Sequence, residues 1–281
     1  MKIGLIGIGQ MGREMSVRLI DAGHDLVVWN RSPAAAGKLA GRARVAGRPE
    51  EAMDVEVVIT MLADDAAVEA VWLAPRMRAK GVHLNMATVS LGVARELARL
   101  QEDYVSAPVF GRPQAAARGE LDIIAAGPPA ALERCRPVFQ PLSRQVFVVG
   151  TNPEHANAVK IARNFLLATV IESLGEAFSI IRKHNVAPDA FLNILTSTSL
   201  AAPAYRNYGK LMVERAYEPA QFSMELGLKD VEPALATARE KGISLPSGEL
   251  IREHLRAAIE RGHRHKDWAG LAELGGATES G

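Results

Sequence analysis

Residues 1–33 read MKIGLIGIGQMGREMSVRLIDAGHDLVVWNRSP, and this stretch decides the fold of the first half of the chain. The apolar run KIGLIG ends at Gly7, the first of three glycines in the spacing G-x-G-x-x-G, and the residues from Gln10 onward have helical periodicity. A second apolar run, DLVVWN, comes next. A strand, a glycine turn, a helix and a second strand in this order are typical of a βαβ unit.

Each glycine of this turn has a mechanical role if the turn binds a dinucleotide. Gly7 permits the tight turn out of the strand, Gly9 lets a pyrophosphate approach the backbone, and Gly12 lets the helix pack closely on the sheet. The helix that begins near Gln10 offers free N–H groups to the pyrophosphate. A turn that binds nothing is the alternative, and the flanking strand and helix argue against it. The predicted cofactor loop comprises Gly7, Ile8, Gly9, Gln10, Met11 and Gly12.

The end of the second predicted strand indicates which dinucleotide is bound. Sites for NAD or FAD place an acidic side chain there, which accepts hydrogen bonds from the ribose hydroxyls. This chain has Asn30, Arg31 and Ser32 instead. An arginine forms paired hydrogen bonds with a phosphate, and the other two side chains add neutral donors. We therefore expect NADPH as the cofactor, with weaker use of NADH; a solvated Arg31 that binds nothing is the alternative.

Composition and charge argue against several classes of function. The 281 residues include 33 Lys and Arg and 32 Asp and Glu, so we expect no binding to nucleic acid or to an anionic membrane surface. The most apolar long run is interrupted by Glu172 and Glu176, short of the roughly 20 apolar residues of a membrane span. A single cysteine, Cys135, suits a reducing compartment. These features predict a soluble cytoplasmic protein.

The apolar pattern also divides the chain. Short strands alternate with helical patterns over residues 1–152, which predicts an α/β domain with a doubly wound, mostly parallel sheet, a Rossmann fold. One long helical pattern fills residues 153–184, and the rest, 185–281, is helical. We expect a long inter-domain helix, an all-helical second domain and a disordered tail from about residue 274.

Several blocks of sequence resemble the β-hydroxyacid dehydrogenase family, which includes 3-hydroxyisobutyrate dehydrogenases and semialdehyde reductases and is related to imine reductases. The resemblance implies an NADP-dependent oxidoreductase that transfers a hydride to a carbonyl, reversibly and without a metal. It also implies a homodimer or higher homo-oligomer formed through the helical domain. The blocks follow the family's order over nearly the whole chain: GLIGIGQMG, VVWNRS, VITMLADDAAVEAVW, LNMATVS, APVFGRPQAAARGEL, VKIARN and FSMELGLKDVEPALATA.

The same resemblance implies roles that spacing alone would not reveal. Lys160 would be the general acid/base, and Asn164, one helical turn later on the same face, would position it or the substrate oxygen. Thr88 would lie beside the nicotinamide, and Lys229 would reach the cofactor from the helical domain. The implied cofactor lining comprises Met61, Leu62, Ala63, Thr88 and Lys229.

The substrate loop departs from the family pattern D-A-P-V-S-G-G. Here the loop reads SAPVFGR, with Ser106 for the acid, Phe110 for the serine and Arg112 for the second glycine. The serine and the glycine amides normally hold the substrate carboxylate. Phe110 therefore favours a larger aldehyde or ketone, or a cyclic imine, although Arg112 would restore an anion partner if it turned inward. The predicted substrate residues are Ser106, Phe110, Gly111, Arg112 and Asp230.

Two alternatives stay open beside carbonyl reduction. Imine reductases share the expected architecture, but most of them replace the catalytic lysine, which this chain retains as Lys160. Reduction of a small-molecule imine is therefore the first alternative. A non-catalytic module for cofactor sensing or oligomerisation is the second, and the retained lysine argues against it.

Overall fold

The computed structural model describes residues 1–273, and the predicted disordered tail lies outside them. Contacts within the chain divide it into two compact units, Met1–Lys160 and Ile161–Gly281. The division falls inside one long helix, later in the chain than the predicted domain boundary at residue 152.

The first unit is built on a parallel sheet of six strands. They are β1 (Lys2–Ile6), β2 (Asp25–Trp29), β3 (Arg44–Val45), β4 (Val57–Thr60), β5 (Val82–Asn85) and β6 (Tyr104–Ser106). The strands lie in the order β3-β2-β1-β4-β5-β6, and each neighbouring pair is parallel. The strand order reverses between β1 and β4, and ligands of open α/β sheets bind at the carboxyl ends of the strands at such a point. The predicted Rossmann sheet is confirmed.

A second sheet of three strands follows in the same unit. It contains β7 (Val109–Phe110), β8 (Leu121–Ala125) and β9 (Ser143–Val148), with β7 antiparallel to β8 and β8 parallel to β9. The apolar run DYVSAPV, residues 103–109, is one of the short strands that the sequence predicts. In the structure it is divided, because β6 ends at Ser106 and β7 begins at Val109. Pro108 lies between them and lacks the N–H group that a continuous ladder needs.

Helices cover both faces of the six-stranded sheet, as a doubly wound fold requires. They are α1 (Gln10–Asp21), α2 (Pro33–Gly37), α3 (Asp65–Val68), α4 (Leu91–Leu100), α5 (Pro113–Arg118) and α6 (Pro129–Leu142). Successive strand residues point to opposite faces. Ile3 and Leu5 of β1 therefore join a core with residues of α1, α5 and α6, whereas Ile6 joins a core with residues of α3 and α4. The short helices α2 and α5 were not predicted.

The long helix is α7 (Glu154–Lys183), and the second unit, as described, is helical as predicted. Its further helices are α8 (Pro188–Ser197), α9 (Pro203–Glu214), α10 (Met224–Glu240) and α11 (Pro246–Ala258), followed by a π-helical turn (Ile259–His263) and a 3₁₀ helix (Trp268–Glu273). The core of this unit includes Phe178, Leu235, Leu255 and Trp268. A helix predicted over residues 211–219 ends early, because Arg215 adopts a left-handed φ of 52°.

By length and composition, α7 could cross a membrane, with a mean hydropathy of 1.4 over its most apolar window. This is weak evidence, because the core helix of a soluble protein passes the same test. The helix also carries a buried carboxylate, that of Glu172. Its Oε1 lies 2.6 Å from Nδ1 of His254 on α11. Burial raises the pKa of the Glu172 carboxyl, and the hydrogen bond from His254 opposes that rise. A carboxylate paired within the second unit favours the core-helix interpretation.

Candidate functional site

Two of the three glycines in the cofactor loop are required by the protein itself. Gly7 has a φ of +103°, and a Cβ there would lie 2.3 Å from the Met61 carbonyl oxygen. A Cβ on Gly12 would lie 2.0 Å from the Gly7 carbonyl oxygen. Both distances are far inside van der Waals contact. The close approach of α1 to the end of β1 therefore depends on Gly12, and the close approach of the loop to the residue after β4 depends on Gly7.

Gly9 is different, because the protein does not require a glycine there. Its φ of −74° is open to any residue, and a Cβ would meet no heavy atom within 4 Å. Gly9 is exposed at the start of α1, whose first turn holds no acidic side chain. The open space before this helix N-terminus fits the pyrophosphate of a dinucleotide, which needs bare backbone N–H groups and close approach.

The end of β2 is tied directly to this loop. Asn30 Oδ1 accepts a hydrogen bond from the Ile8 amide at 2.9 Å, and Asn30 Nδ2 donates to the Ser32 carbonyl oxygen at 3.0 Å. Sequence reasoning assigned Asn30 to the cofactor and missed this contact. Arg31 and Ser32 are exposed, and within residues 1–273 no carboxylate pairs with the Arg31 guanidinium. Asn30, Arg31 and Ser32 directly follow β2, at the strand end whose side chains contact the ribose of the dinucleotide in this fold.

The other predicted cofactor residues of the first unit follow β4 and β5. Met61 and Leu62 are half-buried after β4, and Ala63 is exposed. Thr88 is half-buried and lies three residues beyond the end of β5, at Asn85. Because β1, β4 and β5 are parallel neighbours, these segments lie at the same edge of the sheet as the glycine loop.

Lys160 lies on α7, and its ammonium group contacts both residues of β7, Val109 and Phe110. Nζ donates a hydrogen bond to the Val109 carbonyl oxygen at 2.8 Å and lies 4.5 Å from the centroid of the Phe110 ring. A carbonyl oxygen and an aromatic face both attract a positive charge. The predicted proton donor and one predicted substrate residue are thus in contact within the first unit.

A buried hydrogen-bond network anchors the beginning of α7. Asn157 accepts a hydrogen bond from the Ser106 hydroxyl and donates to the Val89 carbonyl oxygen at 3.0 Å. Ser106 and Asn157 have no exposed surface. The geometry gives Ser106 an anchoring role, and its contact with substrate stays a prediction. Sequence reasoning missed Asn157, because its partners are 51 and 68 residues away in the chain.

An ion pair holds the first turn of the same helix. The Glu154 carboxylate accepts hydrogen bonds from Arg95 Nε of α4 and from Asn152 Nδ2. Burial alone would raise the pKa of Glu154, but the hydrogen bond and charge of Arg95 hold it below its usual value. The first turn of α7 is therefore held to α4 by a charged hydrogen bond.

The loop after Phe110 is fixed by Gly111. Its φ is +139°, and a Cβ there would lie 2.7 Å from Leu121 Cδ2. Arg112 follows it, exposed, as the residue that precedes α5. The contacts predicted between these two residues and a substrate stay predictions.

The second unit holds the remaining predicted residues. Asn164 is buried on α7, and its Nδ2 donates a hydrogen bond to Asp230 Oδ2 of α10 at 3.0 Å. The structure therefore brings together two residues that the sequence placed in separate roles. Lys229, beside Asp230, is exposed. Their contacts with cofactor and substrate stay predictions.

Two further features of the described residues are the arrangement of possible metal ligands and the single cysteine, which is buried. Across residues 1–273, no group of three or more His, Cys, Asp or Glu side chains is arranged to hold a metal ion. Burial raises the pKa of the Cys135 thiol to about 12, so the reactive thiolate is scarce at neutral pH.

Comparison with known proteins matches both halves of the chain. Residues 2–150 match the family model for the NAD binding domain of 6-phosphogluconate dehydrogenase. Residues 155–274 match the model for the NAD-binding region of NADP-dependent 3-hydroxyisobutyrate dehydrogenase. The chain belongs to the β-hydroxyacid dehydrogenase family. This dehydrogenase is therefore an NAD(P)-dependent oxidoreductase acting on CH–OH groups, and the predicted resemblance is confirmed.

Two relatives illustrate the range of names in the family. An uncharacterized oxidoreductase of Bacillus subtilis (strain 168) is 39% identical, with 96% of this chain and 98% of the relative covered. Glyoxylate/succinic semialdehyde reductase 1 of Arabidopsis thaliana is 28% identical, with 97% and 98% covered.

Two solved structures share the fold of this dehydrogenase. A 3-hydroxyisobutyrate dehydrogenase of Mycobacterium tuberculosis has a TM-score of 0.88 at 24% identity, with 97% of this chain and 98% of the other covered. An imine reductase of Bacillus cereus BAG3X2 has a TM-score of 0.65 at 20% identity, with the same coverage.

The glycine loop of this dehydrogenase gives a paired prediction. Gly9→Ala should leave the midpoint of urea unfolding nearly unchanged and weaken NADPH binding about tenfold or more, because the added methyl group fills only the space open to the pyrophosphate. Gly12→Ala should lower the unfolding midpoint, because its methyl group overlaps the Gly7 carbonyl. Urea titration and equilibrium titration with NADPH measure both effects. Unchanged NADPH affinity in a folded Gly9→Ala variant would contradict the assignment of the loop.

Proposed function

We propose that this dehydrogenase uses NADPH to reduce the carbonyl group of a small molecule to an alcohol, reversibly. When bound at the glycine loop and the end of β2, NADPH would supply a hydride to a carbonyl carbon. Lys160 stabilises the negative charge that develops on the carbonyl oxygen and donates the proton that completes the alcohol. The proposal depends on one observation: the Lys160 ammonium group donates a hydrogen bond to the Val109 carbonyl oxygen and lies over the Phe110 ring.

The geometry around Lys160 suits a proton donor. A carbonyl oxygen and an aromatic face both stabilise the protonated, ammonium form of a lysine, which is the form that donates a proton. The anchored first turns of α7 fix the backbone from which the side chain extends. Asn164, one turn further along α7, supplies an amide for orienting a polar group, and its bond to Asp230 fixes the rotamer. We propose that it positions the substrate oxygen.

The preference for NADPH follows from the end of β2. Arg31 is exposed at the position where an acid would select NAD, and Ser32 follows it. A guanidinium matches the geometry of a 2′-phosphate, whereas an acidic side chain would repel it. The family model matched by residues 155–274 is described for an NADP-dependent enzyme, which supports the same choice.

We propose a homo-oligomer, at least a dimer, formed through the helical unit, and a cytoplasmic location. The helical unit exposes large apolar side chains, with Leu166 and Ile180 each 61% exposed and Ile194 59% exposed. An exposed apolar surface of this kind is typical of a protein interface.

Arg31→Asp should reverse the choice of nucleotide. The ratio of kcat/KM for NADPH to that for NADH should fall about tenfold or more, mainly through KM for NADPH, because the added carboxylate repels the 2′-phosphate. Arg136→Asp, an exposed arginine of α6, makes the same change of charge as a control and should keep the parent ratio. A parent ratio in Arg31→Asp would remove Arg31 from the selector role.

Lys160→Ala should abolish most turnover and keep NADPH binding. Loss of a positioned proton donor should reduce kcat for carbonyl reduction about 100- to 10,000-fold. Lys183→Ala removes an exposed lysine from the same helix and should keep the parent rate. Rates are measured by consumption of NADPH with panels of aldehydes and of cyclic imines. Turnover of imines alone, indifferent to Lys160, would contradict the proposal and favour imine reduction.

A further inference from the structure

The aromatic side chain of Phe110, beside Lys160, affects which carbonyl compounds can reach the lysine. Phe110 is the last residue of β7, and the pairing of Val109 with Ile123 and of Phe110 with Asp122 fixes this short strand against β8. The Phe110 ring packs on a small apolar cluster that includes Ile124, Ala126 and Val149. The ring is therefore held from one side by the sheet, and its position beside Lys160 does not depend on a mobile side chain.

The ring occupies the space next to the Lys160 ammonium and contributes no hydrogen-bond donor. Nζ lies 4.5 Å from the ring centroid, so a substrate whose carbonyl oxygen reaches Nζ brings its neighbouring substituent close to Phe110. A carboxylate at that substituent would lose water against an apolar surface and face the negative side of the ring quadrupole. An uncharged alkyl or ester group would pack there without that cost.

We propose that Phe110 determines the substrate class of this enzyme: carbonyl compounds whose substituent near the reacting carbon is uncharged and apolar, rather than carboxylate-bearing semialdehydes. The inference rests on the proposed function, because it requires that Lys160 contact the substrate oxygen. It goes beyond that function in assigning the selection to the residue that also holds the lysine.

Arg112 is the residue that would oppose this selection. It lies two positions beyond Phe110, and as a cation it would attract a substrate carboxylate if it turned toward the site. In the structure the Arg112 side chain is exposed. Gly111, between the two residues, has a φ of +139°, and a Cβ there would clash with Leu121 Cδ2. The proposal therefore assigns the selection among substrates to Phe110 and not to Arg112.

The test uses the full-length enzyme with NADPH and three aldehydes: succinic semialdehyde, its methyl ester and butanal. The ester and the semialdehyde differ in the carboxylate charge, and butanal lacks the group. The parent enzyme should have a kcat/KM at least about tenfold higher for the ester than for the semialdehyde. Phe110→Ser should lower this ratio about tenfold or more, chiefly through KM for the semialdehyde. Phe110→Leu, which keeps apolar bulk, should retain the parent ratio.

Each outcome has a distinct meaning. A parent enzyme that reduces none of the three aldehydes, nor other carbonyls of the panel, would overturn the proposed function. A parent enzyme that reduces the semialdehyde as well as the ester would overturn only the inference about Phe110. So would a Phe110→Ser variant that binds NADPH normally and keeps the parent ratio.

Discussion

The close approach of α1 to the end of β1 is the constraint on which the nucleotide end of this protein depends. Gly12 packs so tightly on the Gly7 carbonyl that a single methyl group would prevent the contact. That contact directs the first turn of α1 toward the carboxyl edge of the sheet, where the strand order reverses. The Asn30 side chain then joins the end of β2 to the same loop through the Ile8 amide. The glycine loop and the end of β2 are thereby fixed relative to each other by the protein itself.

A second set of contacts prepares Lys160 in the same way. The Ser106–Asn157–Val89 hydrogen bonds and the Arg95–Glu154 pair anchor the beginning of α7 from within the first unit. One turn further on, Lys160 meets the Val109 carbonyl and the Phe110 ring. A buried hydrogen-bond network such as Ser106–Asn157–Val89, supported by the half-exposed Arg95–Glu154 pair, holds a functional side chain within a narrow range of positions. The rigid part of the fold thus supplies the geometry that the proposed proton transfer requires.

The sequence predicted the parts of this protein that are encoded locally. The alternation of apolar strands and helices gave the Rossmann sheet, and the spacing of Gly7, Gly9 and Gly12 gave the loop. Contacts between distant residues could not be read in the same way. Nothing in the sequence indicates that Phe110 lies against Lys160, 50 residues later, or that Asn157 pairs with Ser106. The break at Pro108 was also missed, although a proline within a strand-like run is a sign that the hydrogen-bond ladder stops there.

The distinction between glycines shows what a structure adds to a motif. All three glycines match the pattern equally well, yet two are required by neighbouring backbone and one by nothing in the protein. A residue that the fold does not explain is the one that a ligand explains best. The structure adds information about Phe110 as well. Its ring lies beside Lys160, the lysine to which the proposed reaction assigns the proton, and the sequence alone did not indicate that contact.

The most direct test of the central claim is the transfer of deuterium from NADPH deuterated at C4 of the nicotinamide ring. The parent enzyme is incubated with the deuterated cofactor and the methyl ester of succinic semialdehyde, and the product is analysed by mass spectrometry. Both C4-deuterated epimers of the cofactor are tried. The account predicts an alcohol with one deuterium on the former carbonyl carbon from one epimer and none from the other. An alcohol without deuterium from either epimer, or no alcohol at all, would contradict it.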